Sequence, residues 1–198
     1  VRRAAHPLPD GRSVEAAAAV RALLEDAGSE DRLLVLLSGG GSSLVTDPVE
    51  GLRLEDVRAV HRMLLRSGWP IQRVNAVRRV LDRLKGGGMA RLARAARPVA
   101  LVLSDIPGGA LEDVASGPLS PPPATPRDVE IDLRRDGRWD DLPERVRASL
   151  IARRDEASPA TPDVTLHGVG SGIPLLDAVR GAASELGYTV RSLGTSLE

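Results

Sequence analysis

Lys85 is the only lysine in a chain that carries 27 basic residues, and it stands directly before three glycines in DRLKGGGMA (82–90). A lysine supplies a compact, mobile point charge that an arginine fork does not reproduce at a crowded phosphate. With helical spacing, Asn75, Arg78, Asp82 and Lys85 fall on one face, opposite an apolar stripe of Val74, Val77, Leu81 and Leu84. Two readings of that face stand: a solvated surface, or contacts to an anion such as phosphate. A lysine near a helix C-terminus complements the dipole in either case, yet GGG is longer than a C-cap requires.

Three apolar runs end in short segments of Gly, Ser and Asp: SGGGSS (38–43), SDIPGG (104–109) and GVGSG (168–172). In open parallel sheets ligands bind beyond the carboxyl ends of the strands, so the three exits are expected to form one site. Glycines let backbone N–H groups approach an anion, and serine hydroxyls add donors without bulk. SGGGSS has neither the G-x-x-x-x-G-K-[ST] nor the G-x-G-x-x-G spacing, so phosphate binding and a plain tight turn remain equal readings of it. Asp105, at a strand tip, is placed either for Mg²⁺ or general-base work or as a loop N-cap. His6 ranks lower, and His61 and His167 read as packed histidines.

The 27 basic and 27 acidic side chains cancel, which argues against nucleic acid or an anionic membrane as the main partner. With no cysteine, disulfides and thiolate metal sites are excluded and a reducing cytoplasm is the expected location. No apolar run approaches the roughly 20 residues that span a bilayer, and VRRAAHPLPD lacks a signal-peptide centre.

The elements that must position these residues follow from periodicity. Strands are predicted at 32–37, 99–103, 164–169 and 188–193. Helices are predicted from Ser13, as N-cap, to Gly28; over LEDVRAVHRMLLRSG; over IQRVNAVRRVLDRLKGGG; and over IPLLDAVRGAASELG. Thr125, Pro126 and Asp128 signal a short helix after the Pro-rich SGPLSPPPATPRD, and 153–163 reads as an exposed loop. Strands alternating with helices indicate parallel βαβ units and predict an α/β sandwich.

The stretches HPLPD, LVLLSGGGSSL, NAVRRVLDRLKGGGMA, LVLSDIPGG with VASGPLSP, and ASELGYTVRSLGTSLE resemble, in that order, the N-terminal domain of the glycerate 2-kinase family. That family often carries a hydroxypyruvate reductase label, its C-terminal domain is called MOFRL, and the resemblance implies a Rossmann-like three-layer α/β/α sandwich with a mostly parallel sheet. The resemblance implies transfer of the γ-phosphoryl of ATP, with Mg²⁺, to the 2-hydroxyl of D-glycerate, chemistry that rests on positioning and positive charge. Carried over by position, it implies catalytic roles for Lys85, Arg78 and Asp105, with Asp105 also at the metal. Ser38, Gly39, Gly40, Gly41, Ser42 and Ser43 become the cofactor loop, and Asn75, Ser104, Ser116 and Gly117 substrate contacts.

The chain departs from the family pattern at Val80, Asp82, Gly88, Gly109, Ala110, Leu119 and Gly172. On this reading residues 1–198 are a single partial N-terminal domain, incomplete at both ends and without the MOFRL domain, and inactive alone. A homo-oligomer is compatible with it. The alternative is a non-catalytic nucleotide- or phosphate-binding module; an NAD(P)H-dependent reductase fits less well, because no G-x-G-x-x-G follows a strand.

Overall fold

The computed structural model describes residues 1–93, 97–104, 106 and 110–191. Asp105, Gly108 and Gly109, on which part of the second strand exit was read, lie outside the described residues.

Helix α1 (Gly11–Asp26) begins at Asp10, not Ser13. Asp10 accepts from the Ser13 amide while the Ser13 hydroxyl accepts from the Asp10 amide, a reciprocal capping box in which Ser13 is the third helical residue. Strand β1 (Arg32–Ser38) leads into a single turn, α2 (Gly41–Leu44). Helices α3 (Leu54–Leu65), α4 (Ile71–Val80) and the short α5 (Gly88–Leu92) cross to β2 (Arg97–Leu103). A 3-10 segment (Leu111–Ser116), α6 (Pro126–Arg135) and α7 (Glu144–Ala152) then lead to β3 (Thr165–Gly170), and α8 (Gly172–Glu185) follows. Thr125 caps α6 with Pro126 in its first turn and Asp128 reciprocating, as its sequence signals require.

The strands form a parallel sheet in the order β1-β2-β3, with Leu36 opposite Leu101 and Leu101 opposite His167. The α/β architecture and the parallel sheet are those expected. The fourth predicted strand, 188–193, forms none over its described residues 188–191, and residues 192–193 lie outside them.

Two apolar cores divide the work. One lies among the crossover helices, where Val60, Leu64, Val77, Leu81, Leu133, Val146 and Leu150 interlock. The other lies on the inner face of the sheet, where Ala100 and Val102 pack on Ala90, Val114 and Leu119. Among the described residues the outer face of the sheet is left open: Leu34 is 60% exposed, Leu36 72% and Leu103 53%. His167 stands on that open face and is exposed, so its reading as a packed histidine is corrected. Strand alternation gives two faces but does not tell which is covered. His61, on α3, is buried as read.

The decisive local departure is the end of α4. The apolar period continues through Leu81 and Leu84, yet the helix stops at Val80. Asp82 turns its Oδ1 to the amide of Leu84, two residues on, at 3.0 Å, an arrangement that competes with helix. Backbone bonds from Val49 to Leu81 and from Arg83 to Asp47 then lock the segment against the loop after α2. Asp82 and Lys85 therefore do not continue the polar face of α4.

Candidate functional site

Beyond the carboxyl end of β1 lies a cavity of about 380 Å³ lined by His6, Gly39, Gly40, Ser42, Ser43, Asn75, Arg78, Asp113 and Ala115, with Ile106 from the second strand exit. Gly39, Gly40, Ser42 and Ser43 are thus brought together with Asn75 and Arg78. Ser38 and Gly41 turn instead to a second cavity beside the sheet, where Lys85 also lies. Ser104 is buried at the tip of β2; its hydroxyl accepts from Ile106 N, and its amide donates to Gly170 of the third exit at 3.0 Å. The third exit is therefore tied to the second without contributing to the cavity lining.

Arg78 is the exceptional charge of this cavity. Among the described residues no carboxylate pairs with it, and its Nε is buried without a hydrogen-bond partner. Burial pushes its pKa below the ordinary arginine value, although a guanidinium stays protonated in proteins. A desolvated cation whose buried Nε has no partner among the described residues calls for an anion. Nearby His61 is kept neutral, its pKa lowered to about 3 chiefly by burial and further by the positive fields of Arg78 and Lys85.

Arg79, its neighbour in sequence, does different work. Its side chain is 4% exposed and pairs with Asp113 at 2.8 Å, and it donates to the carbonyls of Glu112 and Ser116. These bonds clamp a turn in which two non-glycine residues, Ala115 (φ 54°) and Ser116 (φ 63°), hold left-handed conformations. Such strain persists only where surroundings over-determine it, and it clusters at functional sites. Inside the turn the fully buried Ser116 hydroxyl joins Asn75 Oδ1 at 2.8 Å and Ser42 Oγ at 2.7 Å. Neither the clamp by Arg79 nor the place of Asp113 in the cavity was read from the sequence; the adjacency of Arg79 to Arg78 and the acid before VASGP were the available signals.

The glycine run after Lys85 has a structural cause. Gly86 and Gly87 donate to the carbonyls of Ser116 and Gly117, and Met89 to that of Pro118, so KGGGM lies alongside SGP. A Cβ on Gly88 would come within 1.8 Å of the Arg83 carbonyl, which leaves glycine as the residue that fits. Gly117 is thereby a backbone partner of this run rather than a lining residue.

Lys85 itself does not line the Arg78 cavity. Its side chain is 4% exposed, its ammonium pairs with the 3%-exposed Asp82 carboxylate, and it donates to Val45 O at 3.0 Å. Asp82 also accepts from Asp47 N at 3.0 Å. The lone lysine thus ties the 82–88 segment to the residues that leave α2. Its expected place on the polar face of α4 is corrected by the early end of that helix.

The described residues hold no group of three or more His, Cys, Asp or Glu side chains able to bind a metal ion. Asp113, the carboxylate in the cavity lining, is engaged by Arg79, so these residues do not by themselves form a Mg²⁺ centre.

The chain is similar to known proteins. A protein of Agrobacterium vitis, whose name marks it provisionally as a hydroxypyruvate reductase, is 37% identical over 195 residues, covering 98% of this chain and 44% of its own length. The D-glycerate 2-kinase of Thermotoga maritima is 35% identical over 195 residues, covering 98% of this chain and 46% of its own. A crystal structure of glycerate kinase from that organism superposes with a TM-score of 0.82 over 98% of this chain. The chain spans less than half the length of these relatives. A family model described as Domain of unknown function (DUF4147) matches residues 1–151, more than half of the chain, and the chain belongs to that family.

Proposed function

We propose that the protein containing this chain is a glycerate 2-kinase, with D-glycerate as acceptor and ATP as phosphoryl donor. The observation that carries the reading is Arg78, a desolvated guanidinium without a carboxylate partner among the described residues, in one cavity with the Gly-rich turn after β1. Similarity to relatives named glycerate kinase supports it.

In this reading the Arg78 fork takes the carboxylate of glycerate, where a planar bidentate donor is best matched. Gly39 and Gly40 leave room for the bound molecule to approach the main chain, and Asn75 and Ser116 fix Ser42 against it. ATP supplies the transferred group, and the chain contributes position and positive charge around it. Lys85 acts at a distance, holding the exit of α2 in register.

Incubating the full protein with ATP and D-glycerate tests this. Glycerate-dependent release of ADP, with the product phosphorylated at the 2-hydroxyl by phosphorus NMR, is the expected result. Oxidation of NADH by hydroxypyruvate with no ADP release would overturn it.

A further inference from the structure

The hydrogen bonds behind the cavity run in one direction only. Asn75 Nδ2 lies 3.2 Å from the carbonyl of Asp113, a group that only accepts. The flipped amide would set two carbonyl oxygens against each other, so Oδ1 must face Ser116. Asn75 Oδ1 is likewise an acceptor, and at 2.8 Å it takes the single proton of the Ser116 hydroxyl. Ser116 Oγ then has only lone pairs left for Ser42 Oγ at 2.7 Å, and Ser42 must be the donor in that bond.

A serine has one hydroxyl proton, and Ser42 spends it inward on Ser116. We propose that Ser42 meets the cavity as an acceptor, so the site selects a ligand that offers a hydroxyl beside its carboxylate, a 2-hydroxy acid and not the corresponding 2-oxo acid. Arg78 provides donors without acceptors, and Ser42 provides lone pairs without a free proton. A 2-hydroxy acid matches both, its carboxylate on Arg78 and its hydroxyl donating to Ser42. A 2-oxo acid would put a carbonyl oxygen against Ser42 and leave two acceptors facing each other. Sites built to bond a substrate hydroxyl reject the analogue that lacks it, because a buried polar group is left unpaired. Ser42 is thereby a specificity-determining residue and not the phosphate donor that the family resemblance implies. The proposal rests on the reading of this cavity as the glycerate site.

Calorimetric titration of the full chain with D-glycerate, D-lactate and pyruvate tests it. The last two differ by a hydroxyl against a carbonyl, and D-lactate is expected to bind at least about tenfold more tightly than pyruvate. Ser116→Ala leaves the Ser42 proton free to turn outward, and the ratio should fall to within about threefold. Ser42→Ala, the companion should Ser116→Ala fail to fold by circular dichroism, should weaken D-lactate and leave pyruvate binding equal or tighter, since the opposed acceptor is gone. Binding of D-glycerate with a D-lactate to pyruvate ratio near one in the wild type would overturn the role of Ser42 and leave the kinase reading standing. The same holds for a ratio unmoved by either substitution. No binding of D-glycerate would overturn the kinase reading and this inference with it.

Discussion

Replacing Lys85 by Met removes one member of a buried ion pair whose side chains are 4% and 3% exposed. Breaking such a pair by deleting one partner costs about 3–5 kcal/mol, because the other charge stays buried without compensation. Asp82 keeps two amide donors, from Asp47 and Leu84, each at 3.0 Å, which holds the loss toward the lower end, about 3 kcal/mol. The carbonyl of Val45 also loses its donor. A domain with a total stability of about 5–15 kcal/mol would lose a fifth or more of it. Neutralising the stranded acid in Lys85→Met/Asp82→Asn should recover about 1–2 kcal/mol, since the charge goes while an amide oxygen remains. Urea unfolding followed by circular dichroism gives all three numbers, and titration with D-glycerate on the same samples separates stability from binding. If Lys85→Met costs less than about 0.5 kcal/mol while D-glycerate binding disappears, Lys85 touches the ligand and the reasoning is refuted.

His61 predicts a pH dependence. Its folded pKa near 3 lies below the unfolded value of 6.5, so below pH 6.5 the unfolded chain binds a proton that the folded chain refuses, and stability falls with pH toward 3. Between pH 7 and pH 5 the loss from this residue is about 2 kcal/mol; His61→Leu should flatten the urea-derived profile by that amount, and an unchanged profile would contradict the burial argument. Gly41→Ala brings a Cβ to 2.7 Å from that of Ala115. It should cost about 1–3 kcal/mol, most of which returns in Gly41→Ala/Ala115→Gly, where the strained residue becomes one that tolerates positive φ. Thermal unfolding of the four proteins of that cycle checks it.

What was legible in the sequence was what local chemistry decides. The strands before SGGGSS and SDIPGG and the Thr125 cap are set by periodicity and capping, whereas the Gly-rich turn beside Asn75 and Arg78 was implied by the family resemblance and not by local pattern. Ser13 was misread by one capping box, because both members of that reciprocal pair are good N-caps. The overrun of α4 is a different kind of error. Leu81 and Leu84 keep the helical period because both are buried, but Asp82 and the pairing with residues 47–49 hold them there in another conformation. Lys85 could not be placed from sequence for the same reason: its partner carbonyl belongs to Val45, 40 residues away. The triple glycine looked like surplus at a helix end until its far side, Ser116–Pro118, was in view.

In the proposed function Arg78 anchors an anionic ligand in the cavity beyond β1. Titration of D-glycerate into the full chain and into Arg78→Met tests it most directly. Saturable binding to the wild type and a loss of at least about tenfold in the variant are expected, the cost of removing a charged hydrogen-bond partner. The unfolding midpoint should stay equal or rise, since a desolvated cation without a carboxylate partner among the described residues leaves the structure. Equal affinity of the two proteins for D-glycerate would contradict it.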